Sequence, residues 1–218
     1  MARLRVVALI SGRGSNLQAL LDECADPTFP AEIVKVVSNV ADAAGLARAS
    51  RAGVPVEIIE HKAFASREAF DAALDRCARA AGAELICLAG FMRRLSAGFT
   101  QAWQGRMINI HPSLLPSFRG MHTHAEALAA GVKLHGCTVH FVTPELDDGP
   151  IIVQAAVRVL DGDDEQSLAA RVLAAEHRIY PLALKLIAAG KVTIDGRRVR
   201  IAGAAEAGAV LISPNEPL

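Results

Sequence analysis

Three short segments of the sequence combine residue types that could bind and transform a small anionic molecule. The first is a glycine-rich run, Ser-Gly-Arg-Gly-Ser-Asn, at residues 11–16. The second pairs Asn109 with His111, and the third is an acidic turn at residues 145–150. Together they offer anion-binding backbone donors, a proton acceptor, a hydrogen-bond donor and a carboxylate, which the attack of an amine on a carbonyl requires.

The glycine-rich run comes directly after the first predicted strand and before the first predicted helix. Glycines let backbone N–H groups approach an anion, and the helix N-terminus adds free donors and a favourable dipole. A Walker A loop is excluded because Gly-Lys-Ser/Thr is absent, and Leu17 replaces the third glycine of a dinucleotide fingerprint. We expect a phosphate here; the structural alternative is a tight turn capped by Ser15 or Asn16.

Asn109 and His111 fall within a predicted strand, where residues two apart point to the same side and Ile110 faces the opposite core. A neutral histidine takes or returns a proton near physiological pH, and a neighbouring amide donates to a developing oxyanion. A core histidine held by backbone partners, with Asn109 capping the strand end, explains the pattern equally well.

The acidic turn between two apolar strands carries the adjacent aspartates Asp147 and Asp148. A carboxylate near a histidine fixes the ring tautomer, which is the support that a catalytic imidazole needs. Solvated aspartates are also common in turns, and sequence spacing does not establish a contact with His111.

Other chemistries find little support in the sequence. Histidines at 111, 122, 124 and 140 have no acidic or cysteine partner at ligand spacing, so we expect no metal. A Gly-x-Ser-x-Gly elbow is absent, and no cysteine has a basic neighbourhood. The pattern therefore favours direct transfer without a covalent intermediate.

Composition indicates a single enzyme-sized domain. The chain has 218 residues, of which 52% are hydrophobic, and 23 Lys plus Arg balance 23 Asp plus Glu. This balance gives no global attraction to nucleic acid or to an anionic membrane, and no segment reaches the roughly 18 apolar residues of a membrane helix. The four scattered cysteines favour a reducing cytoplasm. The oligomeric state, monomer or homodimer, is open.

Buried-strand patterns alternate with helical patterns through the first half of the chain. The predicted strands are Leu4–Ile10, Ile33–Val37, Val54–Ile59, Leu85–Leu88 and Met107–Ile110, and the clearest helices are Leu17–Cys24, Ala43–Ala52 and Arg67–Ala81. This alternation predicts an α/β fold with a doubly wound, mostly parallel sheet flanked by helices.

The second half of the chain adds to the same sheet. We predict strands at Val139–Val142 and Ile151–Val157, and then a long helix in which Asp163 and Gln166 form the N-terminal capping pair. Asp195-Gly196 is the predicted turn of a terminal hairpin over Lys191–Ile201. We expect one domain over residues 1–202 and a peripheral tail over residues 203–218.

Four blocks, in this order along the chain, resemble the phosphoribosylglycinamide formyltransferase family of folate-dependent formyltransferases. They are Ser11–Asn16, Leu88–Arg93, the run Asn-Ile-His-Pro-Ser-Leu-Leu-Pro from Asn109, and His140–Pro150. The third block is highly specific for folate-dependent formyltransferases, and the resemblance covers about residues 4–190. It implies that 10-formyltetrahydrofolate, as co-substrate, donates its formyl group to the amine of glycinamide ribonucleotide.

The resemblance also implies residue roles. Asn109 polarises the formyl oxygen, His111 moves protons and Asp147 holds His111 in its working state, although the neighbouring Asp148 stays an alternative. The substrate phosphate is bound by Gly14, Ser15 and Asn16, and the body of the nucleotide by Glu176. The folate pocket is lined by Arg67, Met92, Arg93, Arg94, Leu95, Thr143 and Asp147.

Three other functions compete with this interpretation. Methionyl-tRNA formyltransferase shares the Asn-x-His core, but that enzyme carries an additional RNA-binding domain. No basic patch for tRNA is evident in this sequence. Formyltetrahydrofolate deformylase keeps the same three catalytic residues, which correspond to Asn109, His111 and Asp147, but it is a longer protein with an N-terminal regulatory domain. In a non-catalytic module that binds nucleotide phosphates, His111 would be structural.

Overall fold

One seven-stranded sheet organises the computed structural model, which describes residues 2–204 and 213. Its strands are β1 (Leu4–Ile10), β2 (Ala31–Ser38), β3 (Val56–Ile58), β4 (Leu85–Leu88), β5 (Met107–His111), β6 (Leu134–Phe141) and β7 (Ile151–Arg158). The spatial order is β3-β2-β1-β4-β5-β6-β7. The first five strands are parallel, whereas β6 and β7 are antiparallel. The predicted mostly parallel sheet is therefore confirmed.

Helices cover both faces of the sheet. They are α1 (Ser15–Cys24), α2 (Ala44–Arg51), α3 (Arg67–Ala80), α4 (Ala97–Ala102), α5 (Thr123–Ala129) and α6 (Glu165–Ala188). Side chains of α1, α2, α5 and α6 build one hydrophobic core, while those of α3 and α4 build the other around Trp103. None of the helices in the described part of the chain has the length and apolar character of a membrane span.

Strand β6 begins at Leu134 rather than at the predicted Val139. Its first half contains histidine, glycine and threonine, which obscure the strand pattern, yet it is buried. The buried hydroxyl of Thr138 is satisfied inside the sheet, where its Oγ1 donates to the carbonyl of Ser113 at 2.7 Å. Gly136 is required for packing, since a Cβ there would lie 2.0 Å from the carbonyl oxygen of Ala155 on β7.

Helix α6 is capped one residue later than predicted. Asp164 and Ser167 form the capping box, in which the Asp164 carboxylate accepts from the Ser167 N–H at 2.7 Å. The predicted cap, Asp163, is occupied elsewhere, because its carboxylate accepts two hydrogen bonds from Arg171 and one from the backbone of Leu160. The predicted pair of Asp163 with Gln166 is therefore wrong.

The chain continues into a two-stranded hairpin, β8 (Val192–Asp195) and β9 (Arg198–Ile201). Asp195 still pairs with Arg198, so the two turn residues are Gly196 and Arg197 rather than the predicted Asp195-Gly196. Gly196 has φ +60°, which glycine adopts at low cost. Apart from residues 203, 204 and 213, the predicted tail lies outside the described residues.

Candidate active site

Asn109 and His111 lie on one face of β5, as the strand alternation predicts. Ile108 precedes this pair and Ile110 lies between its two members, and both isoleucines belong to the core on the opposite face. Strand β6 runs antiparallel beside β5 and places His140 directly opposite Asn109. A same-face pair on β5 and a histidine on β6 therefore form the floor of the site.

His111 is 4% exposed and has a different partner at each ring nitrogen. Its Nε2 lies 3.0 Å from the carbonyl oxygen of Phe118. Because a carbonyl only accepts hydrogen bonds, Nε2 carries the proton and Nδ1 of the neutral ring is left as a base. Nδ1 lies 3.5 Å from Oδ2 of Asp147. The carbonyl of Phe118, and not a carboxylate, fixes the tautomer.

Asp147, rather than Asp148, faces the histidine. Its Oδ2 also accepts a hydrogen bond from the N–H of Gly120 at 3.0 Å, and its backbone φ of +48° is unusual for a residue other than glycine. Asp148 turns the other way and forms ion pairs with Arg119 and Arg197. The two adjacent carboxylates therefore have separate partners.

His140, which the sequence did not support as a metal ligand, is a hydrogen-bonding member of the site. Asn109 Nδ2 lies 3.4 Å from His140 Nε2, and His140 Nδ1 donates to the carbonyl of Phe141 at 2.9 Å. This tautomer lets Nε2 accept from the Asn109 amide. Burial lowers the pKa of His140, which keeps the ring neutral. Only the register of β5 against β6 could have shown this contact.

The glycine-rich loop leaves backbone donors open at the start of α1. Gly14 is the N-cap residue of α1, with φ +69°, and no side chain caps the helix. The alternative of a turn capped by Ser15 or Asn16 is therefore not what the structure shows. A Cβ on Gly14 would lie 2.6 Å from the Cα of Gly45, because the loop packs directly against α2. The loop therefore leaves backbone N–H groups open at the helix N-terminus, and Gly14 is also required for packing.

Asn16 and Glu176 connect this loop to α6. Asn16 Nδ2 donates to Glu176 Oε2 at 2.7 Å, and burial raises the pKa of Glu176. Both residues line a cleft of about 650 Å³. The cleft also includes Gly14, Ser15, Met92, Ile110 and Pro112, so it extends from the glycine-rich loop to the end of β5.

A second, smaller cavity of about 130 Å³ lies beside Asn109, His140 and Asp147. Five of the predicted folate-binding residues line it, namely Arg93, Arg94, Leu95, Thr143 and Asp147. Met92 is 68% exposed and lines the larger cleft instead. Arg67 is the exposed first residue of α3 and is not among the lining residues of either cavity. The structure thus brings most, but not all, of the predicted set together.

The remaining histidines of the region do not converge on a common point that could hold a metal. His122 is exposed before α5, while His124 and His135 meet edge to face with ring centroids 5.3 Å apart. Across residues 2–204 no group of three histidine, cysteine or acidic side chains has a metal-binding arrangement.

Comparisons with known proteins find relatives over most of the chain. The formyl transferase family matches residues 4–184. Phosphoribosylglycinamide formyltransferase of Escherichia coli (strain K12) is 46% identical over 203 residues, which covers 90% of the chain and 96% of that protein. The crystal structure of glycinamide ribonucleotide transformylase 1 from Symbiobacterium toebii has a TM-score of 0.89 at 52% identity, covering 91% of this chain and 94% of that one.

A larger protein also contains a related region. The trifunctional purine biosynthetic protein adenosine-3 of Gallus gallus is 53% identical over 192 residues, which covers 88% of the chain. The match covers 19% of that protein, so the chain spans about a fifth of the length of the trifunctional relatives.

Proposed function

The chain belongs to the formyl transferase family, among its phosphoribosylglycinamide formyltransferases, and on this premise we propose its reaction. The formyl group of 10-formyltetrahydrofolate passes to the primary amine of glycinamide ribonucleotide, a step of de novo purine biosynthesis. The observation that carries the proposal is the arrangement around β5: Asp147 lies beside the free nitrogen of His111, and His140 orients the amide of Asn109.

Proton transfer is the proposed role of His111. The substrate amine attacks the formyl carbon, and His111 Nδ1 takes the proton that the amine nitrogen must lose. The Asp147 carboxylate, 3.5 Å from Nδ1, stabilises the positive charge that the ring then carries. The bond between the formyl carbon and N10 of the folate breaks as N10 receives a proton, which yields tetrahydrofolate and the formylated amine.

Asn109 is the proposed donor to the oxygen of the formyl group. One amide N–H of Asn109 is directed to His140, which leaves the second N–H for the oxygen as negative charge develops there. A donor held in place before the reaction stabilises this charge without reorganisation, and removal of one such donor typically costs about 10²- to 10³-fold in turnover.

The larger cleft is the proposed site of glycinamide ribonucleotide. Its phosphate lies at the start of α1, where the N–H groups of Gly14, Ser15 and Asn16 and the helix dipole favour an anion. Glu176, on the opposite wall, contacts the body of the nucleotide. This placement directs the amine toward the end of β5, because the same cleft reaches Ile110 and Pro112.

The smaller cavity is the proposed site of the folate ring. Ligand pockets usually measure about 300 to 1,000 Å³, and this cavity of about 130 Å³ is below that range. We therefore infer that the loop from Thr143 to Leu146 moves outward when the folate binds, while Asp147 stays beside His111. Met92 contacts the folate where the two cavities approach each other, and Arg67 contacts only a part of it that extends beyond the cavity.

The test is formyl transfer by the purified protein, followed through the absorbance change as tetrahydrofolate forms. Release that depends on glycinamide ribonucleotide supports the proposal. Release in a control without acceptor indicates a deformylase, and transfer only to methionyl-tRNA indicates the tRNA-modifying relative. No release under any condition leaves a binding module, which equilibrium binding of the two substrates then characterises. Sizing of the same preparation distinguishes monomer from homodimer.

A further inference from the structure

The two contacts of His111 come from residues whose next neighbours also pair with each other. Phe118 supplies the carbonyl that accepts from Nε2, and Asp147 supplies the carboxylate beside Nδ1. Arg119 and Asp148, one position further in each segment, form an ion pair. Movement of the acidic loop away from the loop of Phe118 must therefore break this ion pair.

The terminal hairpin adds a second contact to Asp148. Arg197, at the turn of the hairpin, places Nη1 2.8 Å from Oδ2 of Asp148 and donates from Nη2 to its backbone carbonyl at 3.2 Å. The hairpin turn also lines a cavity of about 170 Å³ with Thr143, Glu145 and Asp148. Arg197 therefore contacts both the side chain and the backbone of the acidic loop from outside.

The acidic loop needs such support because Asp147 adopts a costly backbone conformation. A φ of +48° in a residue with a Cβ costs about 1 kcal/mol or more and persists only when the surroundings enforce it. The side chain of Asp147 accepts one hydrogen bond, from the N–H of Gly120 at 3.0 Å. The residue that follows it has contacts to two guanidinium groups.

We propose that Asp148 and Arg197 are positioning residues that hold Asp147 against His111, so that the hairpin turn at Arg197 supports the catalytic site. The effect on formyl transfer rests on the proposed function, whereas the effect on the loop does not. The guanidinium groups of Arg197 and Arg119 lower the pKa of Asp148 to about 2, so the ion pairs persist throughout the neutral pH range.

The kinetic test compares Arg197→Ala with Arg200→Ala. Arg200 is a matched control because it lies on the same hairpin and forms an ion pair with Asp195 at 2.6 Å, but this pair stays within the hairpin. Since exposed ion pairs contribute modestly, we expect Arg197→Ala to lower kcat about two- to fivefold. The KM for glycinamide ribonucleotide should stay unchanged, because the glycine-rich loop is on another wall. Arg197→Lys should recover part of kcat, and Arg200→Ala should behave as wild type.

A double-mutant cycle tests whether Arg197 acts through Asp148. In the background of Asp148→Asn, the change Arg197→Ala should lower kcat by less than it does in the wild type. Equal effects in the two backgrounds, or equal losses in Arg197→Ala and Arg200→Ala, would overturn the proposal.

Hydrogen exchange of the Gly120 amide supplies a readout that needs no activity. This N–H donates to Asp147, so it should exchange at least about twofold faster in Arg197→Ala and in Asp148→Asn, but not in Arg200→Ala. Unchanged exchange in both variants would refute the positioning role even if the enzyme is active. Faster exchange in a protein without formyl transfer would support the hold on the loop and refute only the proposed function.

Discussion

At the scale of single residues, the carbonyl of Phe118 determines which nitrogen of His111 is free. Its 3.0 Å contact with Nε2 leaves Nδ1 toward Asp147. The carboxylate is thus placed to stabilise a charged ring, while the tautomer is fixed from the backbone.

His111→Ala should lower kcat about 10²- to 10⁴-fold, because the reaction loses its general acid/base group. Steady-state formyl transfer measures the loss, and circular dichroism checks the fold. His122→Ala is the matched control, since His122 is exposed and lies outside the site. A folded His111→Ala protein with near wild-type turnover would contradict the assigned role.

His140→Phe should lower kcat by up to about a hundredfold, because the Asn109 amide loses its acceptor and small misplacements of catalytic groups are costly. The aromatic ring preserves most of the buried volume. The KM for glycinamide ribonucleotide should change little. His140→Gln, which keeps an acceptor oxygen, should lose less activity than His140→Phe; the reverse order would argue against an orienting hydrogen bond.

At the scale of elements, strand and helix positions followed from periodicity wherever burial is simple. Strand β1 matched its prediction at both ends, and β4 did as well. Sequence periodicity gave wrong bounds where a polar side chain has a hydrogen-bond partner that the sequence does not reveal. Asp163 resembles a cap but binds Arg171, and Thr138 is polar but is satisfied inside the sheet.

The candidate site divides in the same way. The Asn109 and His111 pair was visible because two residues of one strand share a face. The contact of Asn109 with His140 depends on strand register, and the choice of Asp147 over Asp148 depends on the backbone conformation of a loop. Neither feature leaves a periodic signal in a single sequence, so periodicity predicted neither of them; only the family resemblance favoured Asp147, and it left Asp148 as an alternative.

Gly14→Ala should raise the KM for glycinamide ribonucleotide and lower the free energy of unfolding. The new Cβ would meet the Cα of Gly45 at 2.6 Å, in addition to the strain of a positive φ. Gly53→Ala separates the two effects, because Gly53 has φ +72° but no atom within 4 Å of the added Cβ. It should cost only about 1 kcal/mol, with KM unchanged. Equal costs in urea unfolding would mean that the contact with Gly45 is unimportant.

At the scale of the whole molecule, the change from parallel to antiparallel strands positions the site. Strand β5 is the last parallel strand and β6 the first antiparallel one. Paired side chains of these two strands therefore lie next to each other where the strand direction reverses. The glycine-rich loop comes from the start of the chain and the acidic loop from beyond β6. The proposed substrates therefore meet where the two halves of the chain join.

Stability should fall as the pH drops from 6.5 to 4, in part because of His135. This residue is fully buried, and burial lowers its pKa to about 4. Below pH 6.5 the unfolded chain binds a proton that the folded protein does not, so the unfolded state gains up to about 2–3 kcal/mol across this window.

Urea unfolding at pH 7 and pH 4.5 measures this effect. His135→Gln, which is not charged at either pH, should lose less free energy of unfolding between the two values than the wild type does. His122→Gln should show the wild-type loss, since His122 is exposed. An identical loss in all three proteins would show that other groups dominate the acid response.

The hydrogen bond between Asn16 and Glu176 joins residues that are 160 positions apart. A chain still emerging from the ribosome can build the glycine-rich loop early, but that loop lacks its opposite wall until α6 has been synthesised and docked. A phosphate-bearing ligand held by both walls would then bind only completed molecules, and by mass action it would draw newly made chains into the native state. The same bond therefore makes the proposed ligand binding depend on the docking of α6 against α1.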